Sequence, residues 1–142
     1  MNQADLLACA RAARDNAHAP YSQFRVGAAV ATRDGRVFGG CNVENAAYPL
    51  CTCAERTALC AALAAGCRPG DFAHIVVVAD TEAPVSPCGA CRQIMMELGG
   101  ADLAVTLSNL RGDVRETTVG ALLPDSFRLP EQKPGSAHGL EK

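Results

Sequence analysis

The chain has 142 residues, 49% hydrophobic and 20% charged, a balance that supports one folded domain and excludes an intrinsically disordered chain. Thirteen basic against fifteen acidic residues give a formal net charge of −2, which argues against nucleic-acid or membrane-surface binding, where clustered Lys and Arg would be needed. Eight cysteines are the unusual component, and composition alone leaves a disulfide framework, buried thiols and a metal open.

In chain order, segment 3–17 places Leu6, Cys9, Ala10, Ala13 and Ala17 at helical spacing, predicting an amphipathic helix ended by Pro20. Asp5 and Arg11 break up any secretory apolar region, and the longest uncharged stretch near the middle, 57–67, is far short of the ~20 residues that span a bilayer. The expected compartment is the reducing cytoplasm, where cysteine clusters serve metal binding or catalysis more often than disulfides. Two strand-like runs, 25–32 and 36–43, flank Asp34-Gly35, a strong hairpin signal. A loop over 44–51 carries Asn45 and Pro49, and an Ala- and Leu-rich helix is predicted over 53–66 with Thr52 as N-cap.

Within 72–79 the run Ile75-Val76-Val77-Val78 reads as a fully buried strand. After a loop over 82–87, a third helix is predicted over 88–98, stopping at Gly99-Gly100. Strands over 103–107 and 113–118 flank Gly112, with a short helical turn over 121–123. This alternation predicts an α/β fold, a three-layer α/β/α sandwich around a five-stranded mixed sheet, occupying residues 1–129 and followed by a flexible tail over 130–142.

Two cysteine groups fall at predicted helix N-termini: Cys51-Thr52-Cys53-Ala54-Glu55 and Pro87-Cys88-Gly89-Ala90-Cys91. Free N–H groups and the positive helix end favour thiolate, the form that binds metal. Cys88 and Cys91 share one helix face, and a third thiolate from Cys53 would leave one tetrahedral position of Zn²⁺ open, as catalytic zinc requires. Glu55, two residues after Cys53, can approach the metal without ligating it and move protons there. Cys-x-Glu followed by Pro-Cys-x-x-Cys is the zinc-deaminase pattern.

Together with Gly40-Cys41-Asn42-Val43-Glu44-Asn45-Ala46-Ala47-Tyr48, Pro20-Tyr21-Ser22-x-Phe24-x-Val26-Gly27-Ala28 and the following Arg92-Gln93, these motifs resemble the small homotetrameric cytidine deaminases over roughly residues 5–127. The resemblance implies one zinc on Cys53, Cys88 and Cys91, with Glu55 shuttling protons during conversion of cytidine or deoxycytidine to the uracil nucleoside. It also implies that Asn42 and Glu44 hold the ribose hydroxyls, that Phe24 packs on the nucleoside, and that main-chain groups of Ala54 and Ser86 meet the pyrimidine edge. Phe127 would reach the site of a neighbouring subunit. Three thiolates on Zn²⁺ carry a net charge of −1, which opposes ionising a bound water; Arg56 is expected to offset it by donating to the sulfurs.

Taken alone, Thr52-x-x-Glu55 also fits a capping box. Cys51, Cys53, Cys88 and Cys91 also fit a closed structural zinc site in a non-enzymatic domain, and Cys88-x-x-Cys91 a redox dithiol. Among substrates, the alternative is a larger cytosine-bearing molecule of the blasticidin S kind; Asn42-x-Glu44 favours the plain nucleoside. A polynucleotide is disfavoured by the net charge and by 4% aromatic content without Trp, and a nucleotide by the lack of an evident phosphate cradle. Cys9, Cys60 and Cys67 are read as core thiols. Cys41 and Cys51 are left unassigned, as are His18, His74 and His138.

Overall fold

Helix α1 (Gln3–Asp15) begins at Asn2, whose side chain accepts the Asp5 N–H at 2.9 Å, and turns Leu6 and Ala10 onto the sheet. The computed structural model describes residues 2–130, so most of the tail expected to be flexible, and His138 with it, lies outside the described residues. The helix closes at Asn16, whose N–H bonds to the Ala13 carbonyl while the Ala17 N–H bonds to that of Arg14, well before Pro20; Pro20 is not what ends it.

Strands β1 (Val26–Thr32) and β2 (Val37–Cys41) form the expected antiparallel hairpin, with Gly35 supplying a φ of +90° at the turn. Next come α2 (Ala54–Ala64), β3 (Phe72–Ala79), α3 (Gly89–Gly99), β4 (Ala104–Asn109), β5 (Val114–Thr118) and a short α4 (Val119–Leu122). The sheet order is β2-β1-β3-β4-β5; β3 and β4 run parallel, joined through α3, and the other neighbours are antiparallel. Central β3 sends Ile75 and Val77 toward α2, α3 and α4, and Val76 and Val78 toward α1. Burial on both faces accounts for its unbroken β-branched run, and the result is the predicted three-layer α/β/α sandwich around a five-stranded mixed sheet. Leu59, Phe72, Met95 and Leu107 are fully buried in the larger core, each stabilising the fold by roughly 1.5–3 kcal/mol.

Helix α2 lies hard against β2. A Cβ on Gly40 would stand 2.3 Å from the Ala58 nitrogen and 2.6 Å from the Ala54 carbonyl oxygen, both backbone atoms of α2. Gly40→Ala must therefore push the helix outward. It is expected to destabilise the protein by about 1–3 kcal/mol, read as a lower melting temperature, and to weaken activity because α2 carries Glu55. An unchanged melting temperature would contradict this packing.

Two local expectations need correction. The N-cap of α2 is Cys53, not Thr52. Thr52 is held outside the helix: its N–H and carbonyl pair with Val43, both at 2.9 Å, and its hydroxyl donates to the Leu50 carbonyl at 3.4 Å. No capping box can form from there, and Glu55 is left available. Cys60 is not a core thiol; it falls on the outer face of α2 beside exposed Ala61 and Ala64. Cys67 is buried as expected, and Cys9 packs half-buried against the α1-side cluster. Among the described residues, no helix is long and apolar enough to cross a membrane.

Candidate active site

The N-termini of α2 and α3 converge. Cys53 caps α2, Cys88 caps α3, and Cys91 follows in the first turn of α3, its N–H donating to Cys88 Sγ at 3.5 Å. The three Sγ atoms lie within 4.8 Å of one another, with Cys53 and Cys88 at 3.7 Å. A zinc ion with Zn–S bonds of ~2.3 Å requires tetrahedral S–S edges of about 3.8 Å, so this donor set fits. Cys51 stands apart: its sulfur accepts the Asn45 N–H at 3.3 Å and donates to the Asn45 carbonyl at 3.7 Å, bracing the 44–51 loop. The cluster therefore has three sulfurs and not four, against the closed structural site. All eight cysteines are free thiols, so a disulfide framework is excluded.

Electrostatics at the cluster follow from these contacts. The neighbouring Cys91 sulfur, with Cys88 and the Arg56 charge adding to its effect and burial opposing, lowers the Cys53 thiol to about 6. Cys91 is held up, first by the neighbouring Cys53 sulfur, then by its burial and by nearby Glu55. Its sulfur also reaches Glu55 Oε2 at 3.7 Å. Glu55 is only 4% exposed, and burial raises its carboxyl above the ordinary value, with the Cys53 charge pushing the same way. A carboxylate that gains a proton readily is suited to accept one and give it back.

Arg56 does not make the expected hydrogen bond to sulfur. Its Nε is buried without a hydrogen-bond partner among the described residues. An unpaired guanidinium nitrogen whose charge already acts on the Cys53 thiol is an atom that a thiolate-rich metal site would satisfy.

Beside the cluster opens a pocket of about 190 Å³ lined by Phe24, Asn42, Cys53, Ala54, Glu55, Ser86 and Cys88, together with Val26 and Val85. Both valines escaped the sequence reading. Val26 stood inside a recognised motif as the first residue of β1, whereas Val85 sits in a loop with no pattern to mark it. Ser86 Oγ accepts from Arg115 Nη1 at 3.3 Å.

Asn42 is fixed from both ends of its amide: Nδ2 donates to the Phe24 carbonyl at 2.7 Å, and Oδ1 accepts the Val26 N–H at 2.8 Å. It therefore sets the Phe24 wall. Glu44 lies outside this pocket, in a neighbouring hollow with Tyr21, Ser22, Tyr48 and Cys51. Its Oε1 accepts the N–H groups of Tyr21 at 3.0 Å and Ser22 at 3.1 Å, and hydrogen bonding from Ser22, then Tyr21, lowers its carboxyl. Phe127 is 67% exposed and does not line the pocket of its own chain.

A three-sulfur zinc set beside a buried acid–base carboxylate is the equipment of the zinc aminohydrolases, and the known relatives fall in that class. Residues 1–108 match the family described as the cytidine and deoxycytidylate deaminase zinc-binding region. A cytidine deaminase from Halalkalibacterium halodurans is 54% identical over 127 residues, covering 89% of this chain and 95% of its own. The crystal structure of a cytidine deaminase from Burkholderia pseudomallei superimposes with a TM-score of 0.88 at 62% identity, over 89% of this chain and all of that one. That of the Mycobacterium tuberculosis cytidine deaminase superimposes at 0.78 and 38% identity, over 91% and 99%. The chain belongs to the cytidine deaminase family: it is an enzyme, a deaminase whose cofactor is zinc.

Proposed function

We propose that the chain converts cytidine and deoxycytidine, with water, to uridine and deoxyuridine plus ammonia, in cytoplasmic pyrimidine salvage. Cys53, Cys88 and Cys91 would hold the zinc, which when bound supplies a Lewis acid that makes water a nucleophile at neutral pH. Glu55 takes a proton from the attacking water and delivers it to N3 of the pyrimidine, then takes the proton of the new hydroxyl and delivers it to the departing amino group, so it ends each cycle as it began. The main-chain groups of Ala54 and Ser86 align the pyrimidine edge. Phe24 packs against the nucleoside, with Asn42 and Glu44 on the ribose side. Arg56 offsets the excess negative charge of three thiolates.

Phe127 serves the pocket of a neighbouring copy in a homotetramer; its 67% exposure in the single chain supports that role. Residues 1–129 form the catalytic domain. The observation that carries the reading is the Glu55 carboxyl, buried at the pocket and 3.7 Å from a sulfur of the cluster.

An absorbance assay of cytidine, deoxycytidine, cytidine monophosphate and blasticidin S side by side tests it. Turnover of the two nucleosides is expected, with the monophosphate and blasticidin S far slower. Preference for either of the latter would overturn the substrate class.

A further inference from the structure

The motif that carries Cys88 and Cys91 continues into two residues that the chemistry above does not use. Arg92 is half-buried in α3. Its Nε donates to the Pro87 carbonyl and its Nη1 to the Leu122 carbonyl, both at 2.8 Å. Next to it, Gln93 Nε2 donates to the Phe127 carbonyl at 3.3 Å. Charge-assisted bonds at this distance are among the stronger ones a protein makes.

Both acceptors sit where direction matters. Pro87 immediately precedes Cys88, the N-cap of α3, so Arg92 at the fourth helical position reaches the residue just outside the helix. Those are the two positions across which a hydrophobic staple fixes the angle of chain entry. Here a guanidinium does it. The entry angle sets where the Cys88 sulfur points relative to Cys91. The second acceptor, Leu122, is the last residue of α4 and leads into the segment that carries Phe127.

We propose that Arg92 is a positioning residue: by gripping the Pro87 and Leu122 carbonyls together it locks the Cys88 turn to the main chain at the C-terminal end of α4, and so helps hold the zinc ligands in place. The inference rests on Cys88 and Cys91 binding zinc. Lysine cannot substitute, because one ammonium on a flexible stem does not reproduce two fixed, diverging donors.

Zinc release from the loaded enzyme to a chromogenic chelator tests this in Arg92→Gln, Arg92→Lys and Leu122→Ala. The visible bands of the cobalt-substituted proteins report ligand geometry alongside. Leu122→Ala is the control: it removes a core side chain, lowers the melting temperature, and leaves the carbonyl that Arg92 grips.

Both Arg92 variants are expected to release zinc about 10–100-fold faster and to shift the cobalt bands, the usual consequence of losing an outer partner of a metal site. Leu122→Ala is expected to match the parent in both. Should Arg92→Gln not fold, Arg92→Lys carries the comparison. Parent-like release from the Arg92 variants overturns the proposal. So does equally fast release from Leu122→Ala, which would reduce Arg92 to general stability. A parent that binds no zinc overturns the metal reading itself, and shows it before any variant is compared.

Discussion

Glu55→Gln is expected to keep zinc and fold while lowering kcat by about 10²–10⁴, the usual worth of acid–base catalysis. Glutamine preserves shape and most packing at this 4% exposed position but can neither take a proton from water nor return one. The same variant carries a stability signature. Burial raises the folded-state carboxyl above 4.5, so the fold disfavours the ionised form. Its contribution to stability is complete below the unfolded value and is lost as pH rises through the folded one. Metal-free Glu55→Gln should therefore melt higher than the parent at pH 7, by roughly 1 kcal/mol of stability, and the difference should vanish below about pH 4. Near-normal turnover in this variant would remove Glu55 from the mechanism.

Cys91→Ser is expected to lose zinc and, with it, all turnover. Cys91 is completely buried, and its hydroxyl replacement is a poor, hard donor at a soft, three-sulfur site. Losing a direct ligand should cost more than the 10–100-fold in affinity that losing an outer partner costs. Proton release during zinc uptake checks the same contacts in the parent. Cys91 is held protonated while Cys53 ionises near 6, so uptake at pH 7 must displace the Cys91 proton. Affinity should weaken further as pH falls through about 6, where Cys53 regains its own proton. A pH-independent affinity between 5 and 7.5, measured by competition with a chelator, would contradict that assignment.

The alternation of elements and the central strand were legible because pattern and residue type report burial: the short, β-branched run from Ile75 to Val78 fits a strand covered on both faces. Helix ends were less legible. Thr52 carries good N-cap chemistry, but its backbone is taken by Val43, a partner nine residues away that no local pattern reveals. Cys60 failed for the opposite reason: on an Ala-rich helix the apolar stripe is too diffuse to say which face is inside.

The sulfur cluster was readable from spacing because Cys53, Cys88 and Cys91 each sit at a helix start, where local geometry aims the side chain. Arg56 and Glu44 were readable as types, but their contacts depend on which groups already occupy the acceptors and donors around them. The bridge that Arg92 makes to Leu122 spans 30 residues and leaves no trace in the sequence.

The central claim is that zinc held by Cys53, Cys88 and Cys91 makes this chain a cytidine deaminase. Titrating metal-free protein with zinc while following cytidine turnover tests it most directly. Activity should rise in proportion to bound zinc and level off at about one ion per chain, with Cys91→Ser flat throughout. Full turnover by metal-free protein, or one zinc bound per chain with no turnover of cytidine, would contradict it.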